Sequence, residues 1–352
     1  MIRESYAVWN NKGGVGKSTL TFHLATTYAS KHPKERVLVV DMCPQANCTM
    51  MLLGSGTRGE NRLIQLETQA PAPTIAGYID ERINLLAGTL TAPSGTVWTH
   101  QVSTENSELP TNLFLVAGDG NLELLAAPVA YFANAQFPVG VWGAVHKWVK
   151  ELIQRITSSE EEQWTIFIDT NPSFSIYTEL AMIGAGKLLV PFNADDSSRH
   201  AVSAIFRLLY GAGKANPVYD KFTFRHQSSA NGLAAPKCHL FIGNRFTQHK
   251  GSAAAFSALS EAVCTELWSI FQSSPTYFTS RNKIPKTRSA FETSYSVDVR
   301  DFNTAGVVSA HLGVLLRNLS GGHYQVHGDD VQVNAARVSE CADSIDSVVK
   351  FL

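Results

Sequence analysis

Six short runs of apolar residues recur along the chain: YAVW (6–9), RVLVVD (36–41), LFLVA (113–117), WTIFID (164–169), KLLVPF (187–192) and CHLFIG (238–243). Each is continuous rather than alternating, the pattern of strands buried on both faces of a parallel sheet. Helical stretches lie between them: 17–29, with Leu20, Leu24 and Tyr28 four residues apart, then 197–212 and 252–271. Strand and helix in alternation predict βαβ crossovers. The expected fold is therefore α/β, a doubly wound and mostly parallel sheet with helices on both faces. Ligands in such a sheet sit at the carboxyl ends of the strands. The glycine-rich segment after YAVW, the sequence VVDMCP and the sequence FIDTNP all fall there.

Two regions depart from this rhythm. Residues 54–112 are rich in Gly, Ser, Thr and Pro with little periodicity, and are expected to form loops and short helices inserted between strands. In the extension 321–352, Val338, Cys341, Ile345, Val348 and Leu352 stand at three-and-four spacing, which predicts an amphipathic helix. Its other face carries Glu340, Asp343 and Asp346, so it lacks the basic face of a membrane-surface helix. Packing against the domain or against a partner is the expectation. Residues 1–320 are read as a single domain, and no internal repeat is visible.

Composition narrows the class. The chain has 352 residues, 44% of them hydrophobic, and a net charge of −1. No global field attracts nucleic acid, so any affinity for DNA must come from a local patch. Five cysteines (Cys43, Cys48, Cys238, Cys264 and Cys341) are widely spread without a C-x-x-C pair. That fits reduced thiols better than a disulfide framework. The start, MIRESYAVWN, has no apolar signal core, and no apolar run approaches the ~18 residues of a membrane span. A cytoplasmic protein with no membrane association is expected.

The chemistry concentrates in WNNKGGVGKSTLT (9–21). A phosphate loop presents successive backbone N–H groups to phosphate oxygens and then opens a helix N-terminus. Here Gly13, Gly14, Val15 and Gly16 supply the backbone, Lys17 the charge for the β and γ phosphates, and Ser18 the hydroxyl for Mg²⁺, while Thr19 can reach an inner phosphate. The strict G-x-x-x-x-G-K-[ST] pattern is not met, because Asn11 takes the first Gly position. Asn tolerates positive φ better than most residues, so the turn is expected to survive.

KGGVGKST has the form of a deviant Walker A motif, and the chain resembles the ParA/MinD family of P-loop ATPases, nearest the ParA branch. RVLVVDMCPQANCT (36–49) resembles the family's VLLVDxDPQGN segment, and WTIFIDTNPSF (164–174) its Walker B and switch segment YDxIxIDTPPS. GAGKLLVPFNADDSS (184–198) and LFIGNRF (240–246) are similar to later strands, and KIPKTRSAFE (283–292) to the stretch with the family's IP element. The likeness covers most of residues 5–320 and implies a P-loop NTPase fold of the SIMIBI type, with ATP and Mg²⁺ as cofactors. It also implies a homodimer across the nucleotide, in which Lys12 reaches the phosphates of the neighbouring subunit. A second cation in one small loop would repel Lys17 unless a triphosphate lay between them. Asn244 resembles the residue that contacts adenine, though a strand-end turn residue is the alternative reading, and Pro285 is expected along the base.

The expected catalytic set is Lys12, Lys17, Asp41 and Asp169. Asp169 ends WTIFID beside the loop and should hold Mg²⁺ with Ser18, directly or through water, and Asp41 ends RVLVVD similarly. The family's second Asp in D-x-D, credited with positioning the attacking water, is Cys43 here, and Asn171 replaces the first Pro of DTPPS. A thiol is a weak hydrogen-bond partner that carries little charge at pH 7. Slow hydrolysis is expected, with Asp41 or a partner left to complete the site. Cys43 and Cys48 are too few for a metal site.

Arg281, Lys283, Lys286 and Arg288 fall within eight positions, and doubled in a dimer they would grip a phosphate backbone without reading sequence. A solvated charged face is the plainer reading. The function expected is an ATP-dependent dimerising switch that positions or segregates DNA or another cargo, with an accessory protein controlling turnover. The 128 residues from Asp41 to Asp169 (169 − 41) are longer than a minimal ParA needs and keep open a regulatory or defence-system subunit that docks on an effector. A metabolic ATP-dependent synthetase is disfavoured by the lack of a substrate-binding Arg and His cluster near the loop ends.

Overall fold

The computed structural model describes residues 1–135, 139–159, 161–193, 195–212, 218–246, 253–300, 303–326 and 328–352. Its centre is a sheet of β1 (Ile2–Val8), β2 (Arg36–Met42), β3 (His100–Gln101), β4 (Leu113–Val116), β5 (Trp164–Thr170), β6 (Lys187–Asn193), β7 (Lys237–Phe246) and β8 (Ser296–Arg300). The order is β3-β4-β2-β5-β1-β6-β7-β8, and every neighbouring pair is parallel except β3 with β4. A separate hairpin of β9 (Gly322–Val326) and β10 (Asp329–Val333) follows.

The continuous apolar runs have a direct cause in this sheet. Ala7, Trp9, Leu38 and Val40 feed the core on one face, while Tyr6, Val8, Val37 and Val39 feed the core on the other. Successive side chains of a strand point to opposite faces, so both sets must be apolar when helices cover both sides. Six of the strands fall on the six runs. The edge strands β3 and β8 carry no such run: SVDVR alternates and is only partly buried.

Helix α1 (Lys17–Lys31) starts at the carboxyl end of β1, and the short α2 (Asn47–Leu52) follows β2. Region 54–112 is more ordered than its composition predicts. It holds α3 (Gly56–Glu67), α4 (Ile75–Ala87), a helical turn at Val102–Glu105 and β3. Helix α4 is capped by Thr74, whose hydroxyl accepts from the Gly77 N–H, and it ends at left-handed Gly88. Three more helices, Leu122–Ala133, Val141–His146 and Trp148–Ile156, lie between β4 and β5 and account for the rest of the long spacing between Asp41 and Asp169.

The last helix, Ala335–Val349, buries Val338, Cys341, Ile345 and Val348 and packs on α1 and β8. Asp346 on it pairs with Lys31 at 2.8 Å and with Arg317. Tyr6 Oη donates to the Leu352 carbonyl at 2.8 Å, tying the tail to β1. Among the described residues no helix is long and apolar enough to cross a membrane.

Candidate nucleotide-binding site

The segment between β1 and α1 is held from below before it turns. Asn10 is fully buried; its Nδ2 donates to the Pro191 carbonyl at 2.8 Å and its Oδ1 accepts from the Lys12 N–H at 3.0 Å. The left-handed turns come at Gly14 (φ 72) and Gly16 (φ 80). Asn11 does not take the positive φ its position suggested, because these two glycines make the reversal. A Cβ on Gly16 would stand 2.6 Å from Asn244 Nδ2, so the Asn244 amide would have to shift. The positive φ is the stronger reason for glycine there. Lys17 is 7% exposed, and its Nζ donates back to the Lys12 carbonyl at 3.2 Å. Burial lowers its pKa, and nearby Asp169 opposes the shift. A bare turn, a helix N-terminus and a poorly hydrated ammonium group form a cradle for a polyanion.

Two carboxylates stand under this cradle. Asp41 and Asp169 are register partners on β2 and β5, and neither side chain reaches solvent. Asp41 has its oxygens committed: Oδ1 accepts from the Cys43 N–H at 3.0 Å, and Oδ2 accepts from the Thr49 N–H at 2.9 Å and the Thr49 hydroxyl at 2.8 Å. Burial raises its pKa, and these bonds oppose the rise. Its hydrogen bonds organise α2, which leaves little capacity for the metal or catalytic role expected of it.

Asp169 is different. Its Oδ1 accepts from the Thr21 hydroxyl at 3.3 Å, the nearby Ser18 hydroxyl favours its charged form, and Oδ2 is buried with no partner. Burial, then the Asp41 charge, pushes its pKa from 3.8 to about 7. An orphaned carboxylate oxygen beside a serine hydroxyl and a phosphate cradle fits a hard divalent cation with oxygen ligands. Ser18 and Asp169 are the residues that would hold Mg²⁺, which neutralises charge on the phosphates when bound.

Lys17 and Ser18 open into a cavity of about 860 Å³. Its lining takes in Lys17, Ser18 and Thr19, then Cys43, Gln45 and Asn47, and also Met50, Glu60, Ala310 and His311. The Cys43 thiol is pushed up to about 12 by burial and by the charges of Asp41 and Asp169, so it is neutral at pH 7. The segment after β5 is strapped to the loop: the Thr170 hydroxyl donates to the Val8 carbonyl at 2.7 Å, and Trp9 Nε1 donates to the Pro172 carbonyl at 3.3 Å.

Several expected contacts are arranged otherwise. Lys12 is ion-paired with Asp195, the N-cap of helix Asp196–Tyr210. The repulsion from Lys17 is thus balanced within the chain, without a triphosphate between the two cations. Asn244 is 2% exposed, and its Nδ2 donates to the Val15 carbonyl at 2.8 Å, so it buttresses the loop rather than facing a base. Pro285 is buried, and among the described residues neither it nor Asn244 lines the cavity. The four-cation cluster is divided. Arg281 lies 4.6 Å from the Tyr295 ring centroid and donates to the His239 carbonyl at 2.6 Å, while Arg288 pairs with Glu292 at 2.7 Å and Glu261 at 3.4 Å. Weakly hydrated guanidinium groups favour such stacked and paired positions. Lys283 and Lys286 remain exposed.

Asn10, Thr21, Thr49 and Asp195 were not singled out from the sequence. Thr21 carried a usable signal, since it lies one helical turn after Lys17 on the face that meets Asp169. Asp195 carried none, standing 183 positions from Lys12.

The family model AAA_31, described as an AAA domain, matches residues 4–216, more than half of the chain. The chain belongs to the ParA/MinD-type family of P-loop ATPases. The chromosome partitioning protein ParA of Caulobacter vibrioides is 23% identical over 212 residues, 60% of this chain and 64% of that protein. An uncharacterized protein of Pseudomonas putida is 49% identical over 51 residues, 14% of this chain and 18% of its own length. The matches thus span less than two thirds of these curated relatives. Among solved structures, apo McdA from Cyanothece has a TM-score of 0.56 at 15% identity, covering 99% of this chain and 100% of McdA. An ATP complex of a Cyanothece McdA variant with one Asp replaced by Ala has a TM-score of 0.54 at 15% identity, with 99% and 96% covered. The pnob8 ParA structure has a TM-score of 0.52 at 12% identity, with 99% of each chain covered. At such identities the likeness carries the fold alone, a P-loop ATPase sheet of the ParA type.

The Asp169 environment makes the stability of this ParA-type fold depend on pH. Its folded pKa, about 7, exceeds the ordinary 3.8. Between those values the folded chain keeps a proton that the unfolded chain has lost. The contribution is complete below the ordinary value and is lost as pH rises through about 7. In thermal melts without nucleotide or metal, the wild-type midpoint is expected to fall relative to that of Asp169→Asn between roughly pH 4 and 7 and to run parallel to it above. Parallel curves for the two proteins within that window would contradict this assignment of the proton.

Proposed function

We propose that this chain is an ATP-dependent dimerising switch that positions or segregates a cargo, DNA included, and hydrolyses ATP slowly under the control of an accessory protein. The observation that carries the reading is the unpartnered Asp169 oxygen beside Ser18 and Lys17, at the mouth of a loop reversed by Gly14 and Gly16. That arrangement suits a triphosphate with its divalent cation. Lys17 balances the phosphate charge, the loop N–H groups orient it, and the Ser18 hydroxyl and Asp169 carboxylate hold the metal. Slow turnover follows from Cys43. A thiol that stays neutral to about 12 cannot accept a proton from water at neutral pH, and Asp41 is engaged by Thr49 and Cys43.

Lys12 is the residue proposed to complete the neighbouring subunit's site. Its side chain is 24% exposed, and its partner Asp195 is 41% exposed, so the ion pair is open to water and weak enough to exchange. For Lys12 to reach a second subunit's phosphates, this pair has to open. Lys12→Ala is therefore expected to bind ATP as the wild type does and to lose ATP-dependent dimerisation, read by light scattering. A dimer of unchanged mass would remove Lys12 from the interface.

Cys43→Asp restores a carboxylate where the family has one. Phosphate release is expected to rise on the order of 10²-fold in this variant. Fast wild-type turnover that the substitution leaves unchanged would end the reading of a slow switch.

For DNA, the exposed pair Lys283 and Lys286 is the part of the cluster available to phosphates, doubled in a dimer. Binding to any duplex is expected only with ATP and to weaken steeply with salt, with a log–log slope of about 0.9 per phosphate contact. Replacing both lysines with Ala should flatten that slope in a filter-binding titration. A slope unchanged by the replacement would exclude this surface.

A further inference from the structure

With Cys43 neutral and Asp41 engaged, the group that orients the attacking water has to be found elsewhere in the cavity. Thr170 lines it, but its hydroxyl donates to the Val8 carbonyl. Asp169 is committed to the metal in the reading above. Glu60 of α3 also lines the cavity, but it belongs to a helix outside the turn that carries Cys43. Gln45 is different. It lies two residues beyond Cys43, in the turn between β2 and α2, and its exposed side chain borders the same cavity as Lys17 and Ser18. The turn is closed by the Ala46 N–H, which donates to the Cys43 carbonyl at 2.9 Å. Gln45 Oε1 accepts from Asn47 Nδ2 at 3.3 Å, and Gln45 makes no other side-chain hydrogen bond among the described residues.

We infer that Gln45, oriented by Asn47, positions the water that attacks the γ-phosphate in this chain. The inference rests on the ATPase reading given under Proposed function. The chemistry suits a carboxamide. A carbonyl oxygen has two lone pairs, so Gln45 Oε1 can keep the Asn47 bond and accept a second one from water. Its NH₂ group can donate to a γ-phosphate oxygen at the same time. A glutamine orients the attacking water in other P-loop enzymes.

The step balances without a protein base. The water oxygen forms a bond to the γ-phosphorus, the bond from that phosphorus to the β,γ-bridging oxygen breaks, and its electron pair leaves on ADP. The water proton passes to a γ-phosphate oxygen and from there to solvent, so that ATP and water give ADP and inorganic phosphate. Gln45 holds geometry and takes no net proton, which accords with a slow rate.

The test compares wild type, Gln45→Ala, Asn47→Ala and Glu60→Gln in three measurements: single-turnover phosphate release from ATP, binding of ATPγS, and binding of ADP with aluminium fluoride. Transition-state analogues reveal interactions made only in the transition state. Gln45→Ala is expected to lose about 10²-fold in phosphate release and a similar factor in aluminium-fluoride affinity, with ATPγS affinity unchanged. A merely structural role for Gln45 would weaken both ligands together. Asn47→Ala should move the same two readouts in the same direction by less, and Glu60→Gln should match wild type. Wild-type behaviour of Gln45→Ala, or a loss in Glu60→Gln instead, overturns the assignment. A wild type that binds ATPγS yet releases no phosphate overturns it too, while leaving the nucleotide-binding reading intact. A wild type that binds no nucleotide removes that reading and the inference with it.

Discussion

Two buried carboxylates side by side set the terms for this site. Asp41 and Asp169 occupy paired register positions at the carboxyl ends of β2 and β5, where no water screens them. Each opposes the ionisation of the other, and burial opposes both. The chain resolves the conflict asymmetrically. Asp41 receives three hydrogen bonds from Cys43 and Thr49, whereas Asp169 keeps one oxygen without a partner beside Lys17 and Ser18. One carboxylate is satisfied by the fold and the other is left for a ligand. A site arranged in this way gains stability when a cation arrives, so ligand binding and folding are linked.

The surrounding structure follows from that division. The donors that satisfy Asp41 also build the turn into α2, because the Thr49 hydroxyl that donates to Asp41 accepts from the Gly118 N–H at 2.7 Å. A Cβ on Gly118 would lie 2.8 Å from the Asp41 carboxyl carbon, so the end of β4 can approach only as glycine. Residues 43–47 are thereby fixed beside the phosphate loop. On the Asp169 side, the bonds from Thr170 to Val8 and from Trp9 to Pro172 join the segment after β5 to the start of the loop. A change at the γ-phosphate position would thus be felt on both flanking segments, 43–47 and 170–174.

What the sequence makes legible here is local. The phosphate loop, the six strands and the two strand-ending aspartates each depend on a few neighbouring residues, and each is where its motif predicts. Lys12 shows the limit. Its spacing from Lys17 is visible in the sequence, but its partner Asp195 becomes a neighbour only when β6 lies beside β1. Asn244 likewise was expected at the base from the family resemblance alone, and packing turned its amide onto the Val15 carbonyl. The basic cluster read as four equivalent charges. Tyr295, Glu261 and Glu292, which occupy two of them, come from other helical turns and a separate helix. Strand β8 escaped notice because an edge strand needs only alternate apolar residues.

The residue at position 43 can be understood from the same electrostatics. A third carboxylate next to Asp41 and Asp169 would add repulsion to a pair that already pushes the Asp169 pKa to about 7. A thiol avoids that penalty, since burial and the two neighbouring charges keep it protonated. On the proposed function the same substitution would withdraw the group best suited to activate water, so stability of the empty site and speed of hydrolysis would oppose each other at this position. A carboxamide at position 45 fits the proposed compromise, because it would orient water through dipoles and brings no further charge into the cluster.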